Sequence, residues 1–143
     1  MPDCQAAIYS NEYADYIIEV RGDLQGLLEI YEDLYYENLK EVPVDLPQIS
    51  SGCNHNAHMF YIKTDNLLER KKMLDHLIKN NIGAVFHYVP LHSSKAGVQY
   101  GRFCGEDKYT TIESERLLRL PLWYGLTDRH IRMISETIKD YYR

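Results

Sequence analysis

The sequence lacks any apolar run close to the ~20 residues that a membrane-spanning helix requires. It also lacks an excess of positive charge: the formal net charge is -5, so a broad basic surface for nucleic-acid phosphates is not expected. The first ten residues do not show the basic and then apolar layout of a signal peptide. These absences predict a cytoplasmic protein that binds neither membranes nor nucleic acids.

Cysteine is scarce as well. Cys4, Cys53 and Cys104 form an odd and scattered set, which fits free thiols in a reducing compartment better than a disulfide framework. Cys53 is followed by His55 and His58, but this C-x-H-x-x-H spacing lacks the paired short spacings of a structural zinc site. We therefore expect no metal site in this chain.

The composition is that of an ordinary globular protein, with 143 residues of which 45% are apolar and 26% charged. This length suits one domain with a hydrophobic core. The 13 tyrosines are many for the length. Because tyrosine is amphipathic and favours interfaces, their excess hints at a partner subunit or a polar cleft.

Apolar spacing predicts two helices at the start of the chain. The first covers residues 3–18, and the second begins at Asp23 as its N-cap and ends before Pro43. The apolar positions of the second helix recur at three- and four-residue intervals and form one stripe. They are Leu24, Leu27, Leu28, Tyr31, Leu34 and Leu39.

The middle of the chain alternates strand and helix signals. The segment Ala57–Lys63 is short and rich in aromatic and apolar residues, which predicts a buried strand. Asn66 with Glu69 gives a capping-box start to a helix that ends near Asn80, with apolar positions at Leu67, Leu74, Leu77 and Ile78. A second buried strand is predicted over Ala84–Val89.

A long loop, Leu91–Thr110, then precedes three short elements. These are a helix over Ser114–Leu118, a strand over Arg119–Leu122, and a last helix that Thr127 caps. The last helix has Ile131, Ile134, Ile138 and Tyr141 on one face. The order predicts an α+β fold, a small antiparallel or mixed sheet of about three strands covered by helices and preceded by two helices. We treat residues 1–143 as a single domain, with a helical segment at 1–42 and a small α+β part at 43–143.

The densest polar cluster runs from His87 to Ser94, where a predicted strand enters the long loop. Its two imidazoles, the phenol of Tyr88 and two hydroxyls can hydrogen-bond a polyol or a phosphate. The alternative is that His87 is a satisfied core histidine and that Ser93 and Ser94 only form turns. A hydrolase that uses His92 with one of these serines is a further alternative, although the chain has no Gly-x-Ser-x-Gly elbow.

Three stretches resemble a known family. They are HNAHMFY at 55–61, AVFHYVPLHSS at 84–94 and RLPLWYGLT at 119–127. In this order and spacing they resemble the DegT/DnrJ/EryC1/StrS family of sugar aminotransferases, and within it the dTDP-4-amino-4,6-dideoxygalactose transaminases. The start of the chain resembles the long helix after the family's active-site loop. The resemblance therefore covers the whole chain and the C-terminal part of the family's architecture.

The resemblance implies the small C-terminal domain of a fold-type I enzyme that uses pyridoxal phosphate (PLP) and works as a homodimer. It also implies that this domain contributes the HYVPLH motif to a nucleotide-sugar site. His92 is the first candidate for contact with a dTDP-hexose, His87 and Tyr88 come next, and Ser93 is last. In the family, the lysine that forms the Schiff base lies upstream of the point that matches Met1.

The lysines that this chain does carry read as solvated, and Lys95 alone lies near the polar cluster. We therefore expect no catalytic residue and no covalently bound PLP in these 143 residues. The other lysines predicted to be solvated are Lys40, Lys71, Lys72, Lys79, Lys108 and Lys139.

Two functions remain open. The first is the C-terminal domain of a PLP-dependent aminotransferase acting on a dTDP-4-keto-6-deoxyhexose, inactive alone and associating with itself or with a large domain. This hypothesis predicts an exposed apolar docking face, for which the first helix is the candidate. The alternative is a non-enzymatic nucleotide-sugar-binding or regulatory module that pairs with a full-length aminotransferase.

Overall fold

The computed structural model describes residues 26–53, 58–123 and 125–143. Helix α1 runs through residues 26–39 of this part of the chain. The elements after it are β1 (Phe60–Lys63), α2 (Leu67–Lys79), β2 (Val85–Phe86), a 3₁₀ turn (Leu91–Ser93), α3 (Lys95–Tyr100), α4 (Thr110–Arg116), β3 (Leu117–Leu120) and α5 (Asp128–Tyr141).

The three strands form one sheet in the order β1-β3-β2, and both pairings are antiparallel. Phe60 and Ile62 of β1 face Leu120 and Leu118 of β3, and all four side chains are buried. Since side chains alternate between the two faces of a strand, β1 and β3 bury the same face of the sheet. The predicted α+β fold with a three-stranded sheet is confirmed.

Helices supply the rest of the core. Full burial of an aliphatic side chain stabilises the folded state by roughly 1.5–3 kcal/mol relative to leaving it exposed. In α5, the isoleucines recur at three- and four-residue spacing, as the sequence predicted. The buried helical residues are Tyr31, Tyr35 and Leu39 of α1, Met73 and Leu77 of α2, and Ile131, Ile134 and Ile138 of α5.

Tyr35 joins α1 to the sheet. It is fully buried, and its ring stacks on Phe60 with 4.8 Å between the ring centroids. Its hydroxyl donates to the carbonyl of Pro121 at 2.8 Å, and one turn earlier the hydroxyl of Tyr31 donates to the carbonyl of Leu126. The predicted stripe on this helix omitted Tyr35, although its side chain is fully buried and connects α1 to the sheet.

Asn66 and Thr127 cap helices where the sequence predicted, but the capping box predicted for Asn66 and Glu69 is not formed. The side chain of Asn66 accepts from the backbone N–H of Glu69 at 3.0 Å and starts α2. The carboxylate of Glu69 reaches back to the N–H of Asp65 at 2.6 Å, rather than to the N-cap residue itself as in a capping box. Thr127 caps α5, and His130 accepts from the Thr127 N–H at 3.3 Å.

The buried strand predicted over Ala84–Val89 is wrong in length and in burial. Only Val85 and Phe86 pair with β3, at the edge of the sheet, and these two side chains are 50% and 47% exposed. Tyr88 has φ +52°, a left-handed conformation that no strand can continue through. The segment is therefore a short, exposed edge strand.

Other boundaries differ from the prediction for identifiable reasons. Strand β1 begins at Phe60, and β3 occupies Leu117–Leu120 because Pro121 has no N–H for the ladder. Ile78, expected on the apolar face of α2, is 56% exposed. The predicted helix over 3–18, its apolar docking face and the Asp23 cap lie outside the described residues.

The predicted long loop contains the 3₁₀ turn and α3. The Ser94 side chain caps α3 by accepting from the N–H of Gly97 at 3.0 Å. A Cβ atom on Gly97 would lie 1.6 Å from the carbonyl oxygen of Leu91, so only glycine allows the helix to pack this closely on the turn. Helix α3 was not predicted because Gly97 lies inside it, and glycine has a low helix propensity.

Candidate functional site

The structure divides the predicted His87–Ser94 cluster between two places. His92 lies in the 3₁₀ turn and lines a hollow of about 430 Å³, whereas His87, Tyr88 and Ser93 are not among its lining residues. The other residues of this hollow are Leu91, Gly97, Gly101, Arg102, Phe103, Cys104 and Thr110.

His92 is held by a carboxylate and a hydroxyl. Its Nε2 lies 2.9 Å from Oδ2 of Asp107 and 3.3 Å from Oγ1 of Thr111. The ring of Phe103 packs against the imidazole with 4.6 Å between the ring centroids. The hydrogen bond from the Thr111 hydroxyl, together with the neighbouring His92, lowers the pKa of Asp107. This carboxylate is therefore ionised at neutral pH.

Sequence reasoning missed Asp107 and Thr111. The available signal was an aspartate four residues before a threonine at the start of α4, where acidic side chains accept from the first N–H groups of a helix. The N–H of Thr111 does donate to Oδ1 of Asp107, at 3.3 Å. That signal predicts the contact between Asp107 and Thr111, but it does not predict that His92 binds to the same carboxylate.

His87 follows the edge strand β2 in a different environment. Burial lowers its pKa, and the positive charge of Arg119 and nearby His58 lower it further. Its Nδ1 is buried and has no hydrogen-bond partner among the described residues. The ring of Tyr88 lies 4.4 Å away between centroids. His87 is thus a neutral imidazole at neutral pH with an unused nitrogen, not a core histidine with satisfied hydrogen bonds.

A second cavity of about 530 Å³ lies beside Arg119 at the ends of β2 and β3. Trp123, His58 and His130 line it together with apolar side chains that include Ile134. Its lining, within the described part of the chain, contains no carboxylate. An aromatic ring, a guanidinium and two imidazoles around an apolar floor suit a ligand that combines a flat ring with negative charge.

The serines are engaged with the backbone. Ser93 Oγ donates to the carbonyl of Pro90 at 3.2 Å, and Ser94 Oγ donates to the carbonyl of Leu91 at 2.8 Å. Neither hydroxyl bonds to His92 among the described residues, so the nucleophile–base pair that a serine hydrolase requires is not formed. The turn-forming interpretation of these two serines fits their contacts.

All eight lysines lie in the described part of the chain, and none of them is buried. Lys63 and Lys139, the least exposed, are 26% and 28% exposed and pair with glutamates at 2.7 and 2.8 Å. An internal Schiff base needs a desolvated amine aimed at the cofactor aldehyde. The lysines of this chain therefore do not fit covalent attachment of PLP.

The described residues form neither a metal-ligand cluster nor a membrane-spanning helix. No group of three or more histidine, cysteine or acidic side chains in the described ranges is arranged to hold a metal ion. Cys53 and Cys104 are exposed free thiols, and Cys4 and His55 lie outside those ranges. None of the described helices has the length and apolar character to span a membrane.

A family model matches almost the whole chain. The profile of the DegT/DnrJ/EryC1/StrS aminotransferase family matches residues 1–139. The uncharacterized protein MJ1066 of Methanocaldococcus jannaschii is 27% identical over 143 residues, which cover 97% of this chain and 36% of that protein.

Two solved structures share the fold. The aminotransferase TlmJ from Streptoalloteichus hindustanus aligns with a TM-score of 0.74 and 16% identity, over 90% of this chain and 34% of that one. DesV from S. venezuelae, solved in complex with a ketimine intermediate, aligns with a TM-score of 0.71 and 20% identity. The alignment covers 84% of this chain and 32% of that one. The chain spans about a third of the length of these relatives.

Proposed function

The chain belongs to the DegT/DnrJ/EryC1/StrS aminotransferase family, and from that premise we propose that it is the C-terminal part of a PLP-dependent nucleotide-sugar aminotransferase. The observation that carries the proposal is the family match over residues 1–139, joined to a fold shared with sugar aminotransferases. The substrate we propose is a dTDP-4-keto-6-deoxyhexose, whose keto group the whole enzyme converts to an amine.

The four site residues take different parts in this proposal. His92 lines a hollow that also holds Arg102, and these two side chains bind phosphate or hexose oxygens. His87 contributes a neutral imidazole next to Tyr88, whose ring lies 4.4 Å away between centroids, and contacts the sugar less closely than His92 does. Tyr88, whose side chain is 70% exposed, closes over the ligand, and Ser93 is the weakest contributor because its hydroxyl already bonds to Pro90.

PLP supplies the electron sink for amino transfer when it is bound, and the residues of this chain do not offer it an attachment point. We propose that these 143 residues bind and orient the nucleotide sugar and do not transaminate on their own. Pairing with a second copy or with a large domain completes the site. The exposed aromatic side chains Tyr88, Tyr100 and Tyr109 are available for such a contact.

Borohydride trapping tests the proposal. The chain is mixed with PLP, with and without dTDP-glucose, reduced, and searched for labelled lysines by mass spectrometry. We expect sparse label spread over exposed lysines and unaffected by the sugar. One stoichiometric, sugar-protected lysine contradicts the proposal, because it makes the chain an aminotransferase in its own right.

The second candidate, a non-enzymatic binding or regulatory module, is favoured by the combination of two ligand-sized hollows with no buried lysine. It differs from the first in one measurable respect. A free-standing module binds dTDP-glucose tightly and pairs with a full-length relative in a mixed gel-filtration experiment. The C-terminal part of an enzyme binds the sugar weakly until its own large domain is supplied.

A further inference from the structure

The contacts of His92 determine which of its ring nitrogens carries hydrogen. The hydroxyl of Thr111 has a single proton, and that proton is donated to Oδ2 of Asp107. Thr111 Oγ1 can therefore only accept from His92 Nε2, which lies 3.3 Å away. The carboxylate oxygen, 2.9 Å from the same nitrogen, is also an acceptor. With two acceptors facing it, Nε2 must carry the hydrogen.

The carboxylate that receives this hydrogen is itself fixed. Both oxygens of Asp107 accept from Thr111, one from the hydroxyl and the other from the backbone N–H at 3.3 Å. Phe103 packs against the imidazole and limits its rotation. The ring is thus held at its Nε2 edge and contacted by Phe103, and its other nitrogen is left to hydrogen-bond a ligand.

This other ring nitrogen is Nδ1. Among the described residues Nδ1 has no hydrogen-bond partner, while the ring itself lines the hollow that Arg102 shares. A neutral ring with hydrogen on Nε2 presents Nδ1 as an acceptor for a hydroxyl, and a protonated ring presents it as a donor to a phosphate. The arrangement follows the rule that a partner on one ring nitrogen sets the chemistry of the other.

We propose that Asp107, supported by Thr111, is a positioning residue that fixes the tautomer of His92 and so makes Nδ1 the atom that contacts the nucleotide sugar. The identity of the ligand rests on the proposed function, whereas the control of the tautomer does not. Asp107 touches no ligand in this arrangement and acts only through His92.

The tautomer is measured by nitrogen NMR of the chain labelled at histidine nitrogens, at a pH where the imidazoles are neutral. We expect His92 to hold its hydrogen on Nε2. In Asp107→Asn the amide can also donate to Nε2, so the tautomer should become mixed. Thr111→Val should give a smaller change, because the carboxylate remains. Asp128→Asn is the matched control: it removes a carboxylate paired with Arg132 at 2.8 Å, far along the chain, and should leave His92 unchanged.

The same samples are then titrated with dTDP-glucose. We expect the Nδ1 signal of His92 to move and the affinity of Asp107→Asn to fall about tenfold, the effect of one misplaced hydrogen bond. A His92 tautomer with hydrogen on Nδ1, or one that Asp107→Asn and Thr111→Val both leave unaltered, overturns the inference whatever the ligand is. If the tautomer is fixed but dTDP-glucose shifts the Nε2 signal and not the Nδ1 signal, then Nδ1 is not the atom that contacts the ligand. Equal binding by wild type and His92→Asn instead overturns the proposed function and leaves the tautomer result standing.

Discussion

His87 and His92 lie five positions apart in one motif, and the fold gives them opposite neighbours. At the sheet edge, His87 faces the charge of Arg119 and keeps a buried nitrogen without a partner among the described residues. In the loop region, His92 meets the carboxylate of Asp107 at 2.9 Å. The imidazole of His87 is thus neutral, whereas the imidazole of His92 is bound by a carboxylate. Residue type alone does not assign a role, because the neighbours decide it.

The largest effect expected from the comparison of these two regions comes from their glycines. Gly97→Ala, on the His92 side, drives a Cβ atom to within 1.6 Å of a backbone oxygen and should cost about 2–3 kcal/mol of unfolding free energy in urea. The control is Gly83→Ala on the His87 side, where a Cβ meets nothing within 4 Å. Similar losses in both variants would show that the turn and α3 do not pack as described.

A smaller effect is expected at the sheet edge. The guanidinium of Arg70, only 9% exposed, lies 5.2 Å from the ring centroid of Phe86. Phe86→Ala should therefore lower the free energy of unfolding by about 1–2 kcal/mol, through loss of a cation–π contact and of apolar packing. Val85→Ala is the control, since it has nearly the same exposure on the same strand. Equal losses in the two variants would remove the special role of Arg70.

The smallest effect is a pH dependence due to His87. Because its pKa is lowered from the ordinary 6.5, the unfolded chain binds more protons than the folded chain below that pH. Stability should therefore fall as pH drops from 6.5 toward the folded pKa. In His87→Asn, the urea concentration at the unfolding midpoint should vary less with pH over this range. Arg119→Gln should reduce this variation only in part, since burial is the larger cause. An unchanged profile in His87→Asn would contradict the assigned environment.

The features that could be predicted from the sequence are those that depend on residues close together in the chain. Asn66 and Thr127 cap helices where their side chains predicted, because a cap needs only a residue and the backbone that follows it. The isoleucine stripe of α5 was equally visible. The order of elements then followed, and with it the α+β class.

Contacts between distant residues were not readable. Asp107 meets His92 across a segment that contains α3, and no spacing rule joins positions 15 apart in such a segment. The two-residue strand β2 was overestimated because apolar residues at an exposed edge look the same in sequence as buried ones. Most of the fold was therefore predictable, whereas the candidate site was predictable as a set of residues and not as an arrangement.

Calorimetric titration of the chain with dTDP-glucose tests the nucleotide-sugar assignment most directly, comparing wild type with His92→Asn, His87→Asn and the control Asp128→Asn, whose exposed carboxylate pairs with Arg132 and lines neither hollow. We expect measurable binding by the wild type, a loss of about tenfold or more for His92→Asn, a smaller loss for His87→Asn and the least for Asp128→Asn. Equal affinities for wild type and His92→Asn would contradict the assignment of the HYVPLH segment to the nucleotide sugar.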